Sequence, residues 1–117
     1  MKNKIPETIN GAVDLILAQM TGAEKDLYAK EPESAPGAQF HFGGGMMMRN
    51  AWGLWFNKTK LSKWFKKYGV YHGDDRSSII YKALWCRLNG KKLDIKWEAE
   101  HYRRYWAAKG LKPDGGK

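Results

Sequence analysis

The sequence predicts an all-α fold, a compact bundle of about five helices forming one domain over residues 1–110. Three observations predict it. Apolar residues recur at intervals of three and four along most of the chain. Capping residues bracket those periodic runs, and the period-two alternation of a half-buried strand is weak throughout, with no internal repeat.

Taken in order, Ile9, Val13, Ile16, Leu17 and Met20 share one helical face after Pro6, a residue suited to a first turn. Thr21 and Glu24 stand at capping-box spacing and start a short helix that should fail near Glu31-Pro32, because the residue before a proline is pushed out of the helical region. Residues 31–39, with prolines and small polar residues, read as a surface linker. Phe40-His41-Phe42 then leads through Gly43-Gly44-Gly45 into MMMRNAWGLWF. The glycines permit either an anion at the amides opening the next helix or simply entry into a buried helix, with Met46, Met47 and Met48 filling irregular core space. The run lacks the Lys-Ser/Thr ending of a phosphate loop and the spacing of a dinucleotide fingerprint. Arg49 and Asn50 lie between apolar residues on both sides, so burial would oblige them to find specific partners.

From Lys60 to Tyr68 the pattern is clean. Leu61, Trp64, Phe65 and Tyr68 form one arc, and Lys60, Lys63, Lys66 and Lys67 form the opposite one. Gly69 reads as the C-terminal cap, and Asp74 or Asp75 as the cap of a helix from Asp75 to Leu88 that Asn89-Gly90 ends. Arg76 and Arg87 fall near the centre of that helix's apolar arc. Each must pair with a carboxylate such as Asp14 or Asp75, cap carbonyls, or meet an anionic ligand. With Asp94 as its cap, a last helix runs from about Ile95 to Lys109, carrying Trp97, His101, Tyr102, Tyr105 and Trp106, with Glu100 placed to pair with Arg103 or Arg104. Residues 111–117 read as a flexible tail.

Composition narrows the function classes. The 117 residues carry 21 Lys+Arg against 12 Asp+Glu, with six Trp, six Tyr and four Phe, too apolar and aromatic for a disordered basic tail. The charge is uneven: residues 1–42 hold four lysines and six acids, whereas residues 43–117 hold 17 cations and six acids. Between Ser34 and Gly73 there is no acid at all, only Arg49, Lys58, Lys60, Lys63, Lys66 and Lys67. A one-signed field of this kind attracts phosphates or acidic protein faces. A single cysteine, Cys86, excludes an internal disulfide and a cysteine-built zinc site. No stretch is apolar enough to cross a membrane and the start lacks a signal peptide's apolar core, so the expectation is a cytoplasmic protein without membrane contact.

FHFGGGMMMRNAWGLWF, GVYHGDDRSSII and LWCRLNGK together resemble an uncharacterised family of short bacterial and phage proteins catalogued as a domain of unknown function. The resemblance covers Pro6 to Gly90 and is most specific at His41, Gly43, Arg49, Asn50, Trp52, Gly53, Trp55, His72, Asp74 and Asp75. Gly73 stands where the family pattern has proline, and the methionine run replaces a more varied stretch. The resemblance implies a helical domain of phage or mobile-element type, placed in the host cytoplasm when phage-encoded, and no activity.

His41, His72, Asp74, Asp75, Glu98, Glu100 and His101 supply groups for acid/base or metal chemistry, with His72, Asp74 and Asp75 the best cluster for an enzyme. No metal-ligand spacing, nucleophile elbow or complete phosphate loop accompanies them, so neither metal nor cofactor is expected. The expectation is a non-enzymatic binding protein with an anionic partner. For nucleic acid or a phosphate-bearing ligand, Arg49, Asn50, Arg76, Arg87 and His72 would form the binding site and Lys60, Lys63, Lys66 and Lys67 the steering surface. An exposed Trp or Tyr would stack on a base. A helix-turn-helix reading of the two central helices fails on the loose turn at Val70–Asp74 and on a second helix too apolar for groove reading. The alternative partner is an acidic protein surface, as for a counter-defence inhibitor occupying a nucleic-acid site.

Overall fold

The computed structural model describes residues 5–34, 36 and 44–111. Six helices occur among them and no strand: α1 (Ile9–Gln19), α2 (Gly22–Ala29), α3 (Gly44–Ala51), α4 (Lys60–Lys67), α5 (Gly73–Leu88) and α6 (Ile95–Ala108). The expected all-α architecture holds, with six helices where about five were expected. The short α3 after the glycine run is a helix in its own right. Phe40, His41, Phe42 and Gly43 lie outside the described residues, as do residues 35 and 37–39 of the linker at 31–39 and all of the tail beyond Leu111.

Most helix boundaries follow from local chemistry. Thr21 Oγ1 accepts from the Glu24 amide while Glu24 accepts from the Thr21 amide, a complete capping box. Thr8 and Thr59 cap α1 and α4, and Asp94 caps α6 by accepting from the Trp97 amide at 3.0 Å. Pro6 thus precedes the cap of α1 rather than opening its first turn. Gly69 and Gly90 take positive φ of 85° and 65° just beyond the C-caps of α4 and α5, where a side chain would be strained. One expectation is corrected: α5 is capped by His72, whose Nδ1 accepts from the Asp74 amide at 3.2 Å, and Asp74 and Asp75 occupy the first turn. There they favour the positive end of the helix dipole without serving as caps.

α5 is the axis around which the rest is arranged. Ile79, Ile80 and Leu84 pack with Val13 of α1, Leu54, Leu61 and Phe65 of α4, and Val70, all essentially inaccessible to water. Burying side chains of this size stabilises the fold by roughly 1.5–3 kcal/mol each before the entropy of ordering is subtracted. Polar ties then fix α1, α2 and α6 to α5. For α2, the Tyr28 hydroxyl donates to the Tyr81 carbonyl, Trp85 Nε1 to the Glu31 carbonyl and Asn89 Nδ2 to the Ala29 carbonyl, at 2.8, 2.9 and 3.1 Å. For α1, Arg87 pairs with Asp14 at 2.8 Å and reaches Asn10. For α6, Lys82 pairs with the buried Glu98 at 3.3 Å, and Trp106 Nε1 donates to Asp75. No helix is long and apolar enough to cross a membrane among the described residues.

The methionine run behaves differently from expectation. Met48 turns into the core, but Met46 and Met47 are exposed. An eight-residue helix with Gly45, Met48 and Arg49 against the core has only one buried stripe, and Met46 and Met47 fall outside it.

Candidate functional site

α3 runs almost directly into a tight turn. The Leu54 amide donates to the Arg49 carbonyl at 2.9 Å and Gly53 takes φ of 63°, which folds Trp55 back alongside α3. Trp55 Nε1 then donates to Asn50 Oδ1 at 2.9 Å, and the Arg49 guanidinium lies 5.4 Å from the Trp55 ring centroid, within cation–π range. Across from them, the start of α5 presents His72, Asp74 and Ser77. Arg49 donates from Nη1 to Ser77 Oγ at 2.9 Å, and its Nε lies 3.3 Å from Asp74 Oδ1. Ser77 in turn donates to the Asp74 carbonyl. The His72 ring sits between two indoles, 6.0 Å from Trp55 and 5.0 Å from Trp106. Trp106 reaches on to Asp75 Oδ2 at 2.8 Å.

Segments joined by bonds spanning 28 and 31 residues thus meet in one cluster, and Arg49, Asn50 and His72 of the expected binding set are neighbours in it. Arg49 is only 1% exposed. The space around Gly73 is equally filled: a β-carbon there would come within 2.6 Å of the Trp55 ring.

The other two arginines lie elsewhere. Arg76 is fully buried and points away from the cluster, donating from Nε to the Val70 carbonyl, from Nη1 to the carbonyls of Leu54 and Phe56, and from Nη2 to Asn57 Oδ1, at 2.5–3.1 Å. It caps carbonyls, one of the three roles open to it from sequence. Burial lowers its pKa to about 10, still well above neutrality. Arg87 stands at the opposite end of α5 in its pair with Asp14. Lys60, Lys63, Lys66 and Lys67 line the exposed face of α4, as expected, opposite the buried Leu61 and Phe65. Lys60 reaches Glu7 at 3.5 Å, whereas Lys63, Lys66 and Lys67 form no ion pair with any described residue.

The matching segment fits this geometry. Residues 5–88 match the family model described as Domain of unknown function (DUF6794). The chain belongs to this family. No curated protein and no solved structure matches the chain. The DUF6794 segment runs to Leu88, the last residue of α5, so it includes Arg49, Asn50, Trp55, His72 and Asp74 while leaving α6 and Trp106 outside.

Chemically, the DUF6794 cluster is tied inward. His72 Nδ1 accepts a backbone bond, which makes Nε2 the protonated nitrogen of the neutral ring. Glu98 is buried in its pair with Lys82, and Glu100 accepts from both Arg103 and Arg104, which hold its carboxyl down at about 2. Among the described residues, no group of three or more His, Cys, Asp and Glu is placed to hold a metal ion. A cavity of about 310 Å³ between α1, α2 and α5 is lined by Ile16, Met20, Leu27 and Leu84, with Glu24 and Glu31 on its wall, a lining unsuited to an anion.

Ser77 and Trp106 complete the cluster without having been among the expected site residues, and Trp55 was marked only by the family resemblance. Trp106 shows no sequence signal beyond being one of several aromatics in its helix. Asp75 shows the cost of the arrangement. It is 7% exposed, and burial raises its pKa above the ordinary carboxylate value despite the bond from Trp106 and the nearby His72. A folded-state pKa raised in this way favours the protonated acid, so its contribution to stability is present below the unfolded pKa and lost as pH rises through the folded one. Asp75→Asn retains an oxygen for Trp106 and drops the charge. It is expected to raise the thermal midpoint at neutral pH, with the gain over wild type shrinking as pH falls. A midpoint lowered equally at every pH would contradict this account.

Proposed function

We propose that this DUF6794 domain is a non-enzymatic binding protein that engages nucleic acid through the exposed lysine face of α4. The observation that carries the reading is the charge arrangement on that helix. Lys63, Lys66 and Lys67 project to solvent without ion-pair partners among the described residues, in a stretch with no acid from Ser34 to Gly73. Surface lysines that are not spent on carboxylates are available to displace condensed counterions from a phosphate backbone, and the helix needs no rearrangement to present them. Arg49, Asn50 and His72 serve in this reading as the internal framework that sets the 52–57 turn against α5. Arg76 and Arg87 likewise hold the chain's own groups.

The reading extends to a phage or mobile-element protein working in the host cytoplasm, with counter-defence as its setting. That part is supported by the resemblance rather than by the charges. An acidic protein surface is the competing partner, and the two are separated by experiment. Binding of a short labelled oligonucleotide at low salt is expected to weaken steeply with added salt. Lys63→Glu, Lys66→Glu and Lys67→Glu combined should lower affinity at least about 100-fold and flatten the salt slope by about 2, near 0.7 per lost phosphate contact. Wild-type protein that binds no strand at low salt would refute the nucleic-acid reading and direct attention to an acidic protein target.

A further inference from the structure

α6 divides into two faces. Ile95, Glu98, Ala99, Tyr102 and Trp106 turn toward α5 and are buried or half-buried. On the neighbouring arc, Trp97, His101 and Tyr105 recur every four residues, which places them in one row along the helix. All three rings face solvent, Trp97 at 56% and Tyr105 at 48% exposure. Leaving two such rings exposed in register is costly unless something covers them. The row is also partly ordered in advance. Trp97 and His101 stack at 5.3 Å with their planes within 8° of parallel, and Lys109 Nζ lies 5.0 Å over the Tyr105 ring.

Cations outnumber acids beside the row. Lys96, Arg103, Arg104 and Lys109 are exposed, against Glu100, which pairs with Arg103 and Arg104, and Asp94, which caps α6. At its N-terminal end, Trp97 forms one wall of a cavity of about 180 Å³ of mixed charge, where Lys91 pairs with Glu33 and Lys82 with Glu98 while Lys92 forms no ion pair with a described residue. Aromatic faces in a row with ammonium and guanidinium groups between them complement a single strand, whose unpaired bases stack while its phosphates meet the cations. A duplex keeps its base faces covered and would leave the row unused.

We infer that the Trp97–His101–Tyr105 row is a base-stacking platform for single-stranded nucleic acid. The inference rests on the nucleic-acid reading and specifies the form of nucleic acid bound. The test compares an oligothymidylate with an abasic strand of the same length and charge, at one salt concentration, for wild type and for Trp97→Ala/Tyr105→Ala. Both substitutions are at exposed positions, and circular dichroism checks that the helix content is retained. Wild type is expected to prefer the base-bearing strand. The double variant should lose about tenfold or more per ring with its salt slope unchanged, and Trp97→Phe/Tyr105→Phe should restore most of the affinity. Equal affinity for both strands, or a double variant as tight as wild type while the α4 lysine variant fails, would overturn the stacking platform and leave the lysine reading intact. A wild-type protein that binds neither strand, yet is retained by polyglutamate, would overturn both.

Discussion

Arg76→Met is expected to cost the domain about 3–5 kcal/mol of stability, read as a lower urea midpoint at an unchanged m-value. The residue is inaccessible to water, and its donors satisfy the Leu54, Phe56 and Val70 carbonyls together with the Asn57 side chain. Methionine fills much of the same volume but donates nothing, so the carbonyls of the 54–57 turn and of Val70 lose their partner inside the protein. Set against the roughly 5–15 kcal/mol that holds a domain of this kind together, the loss brings the variant close to its unfolding threshold. Arg76→Lys should recover only part of the deficit, because one ammonium cannot span acceptors arranged for a guanidinium fork. A loss below about 1 kcal/mol for the methionine variant would mean that water replaces the guanidinium, and the central role assigned to Arg76 would fall.

The second large effect is at Arg49. Arg49→Met is expected to destabilise by about 2–4 kcal/mol, somewhat less than Arg76→Met, because its carboxylate partner Asp74 is 39% exposed and can be solvated once the guanidinium is gone. The same substitution removes the cation beside Trp55, so the emission of that indole should change along with stability. Coupling measured between Arg49→Met and Asp74→Asn should be favourable and exceed about 0.5 kcal/mol, as for residues in direct contact. Strictly additive effects would contradict the pairing. In conditions where Arg49→Met remains folded, oligonucleotide affinity should stay near that of wild type. A folded variant that no longer binds would instead make Arg49 a phosphate-gripping residue.

The parts of this fold legible from sequence were those decided within a few residues. Thr21 with Glu24, Asp94, Gly69, Gly90 and the two arcs of α4 each act over less than two helical turns, where spacing alone specifies geometry. The distant Arg87–Asp14 pair was one of several alternatives open to Arg76 and Arg87 from sequence, beside Asp75, backbone carbonyls and an anionic ligand. Other features depended on tertiary placement. Two of the acceptors of Arg76 are backbone carbonyls 22 and 20 residues away, and carbonyls carry no signature in a sequence. His72 displaced two adjacent aspartates as the cap of α5 because its ring is held between Trp55 and Trp106, elements contributed by remote parts of the chain. Aromatic content likewise marked α6 as a helix without telling Trp106, which is drawn inward by Asp75, from Trp97 and Tyr105, which are left outside.

The attachment of four helices to α5 decides how a local change spreads through the molecule. α5 is the spine on which α1, α2, α3 and α6 are all hung by named side chains, and the family segment closes at its final residue. A change on α5 is therefore felt by several elements at once. α6 is held by a short list of ties, chiefly Trp106 to Asp75, Glu98 to Lys82 and the Trp97 ring against the Lys82 ammonium. Substitutions in α6 are therefore expected to disturb fewer elements than substitutions in α5.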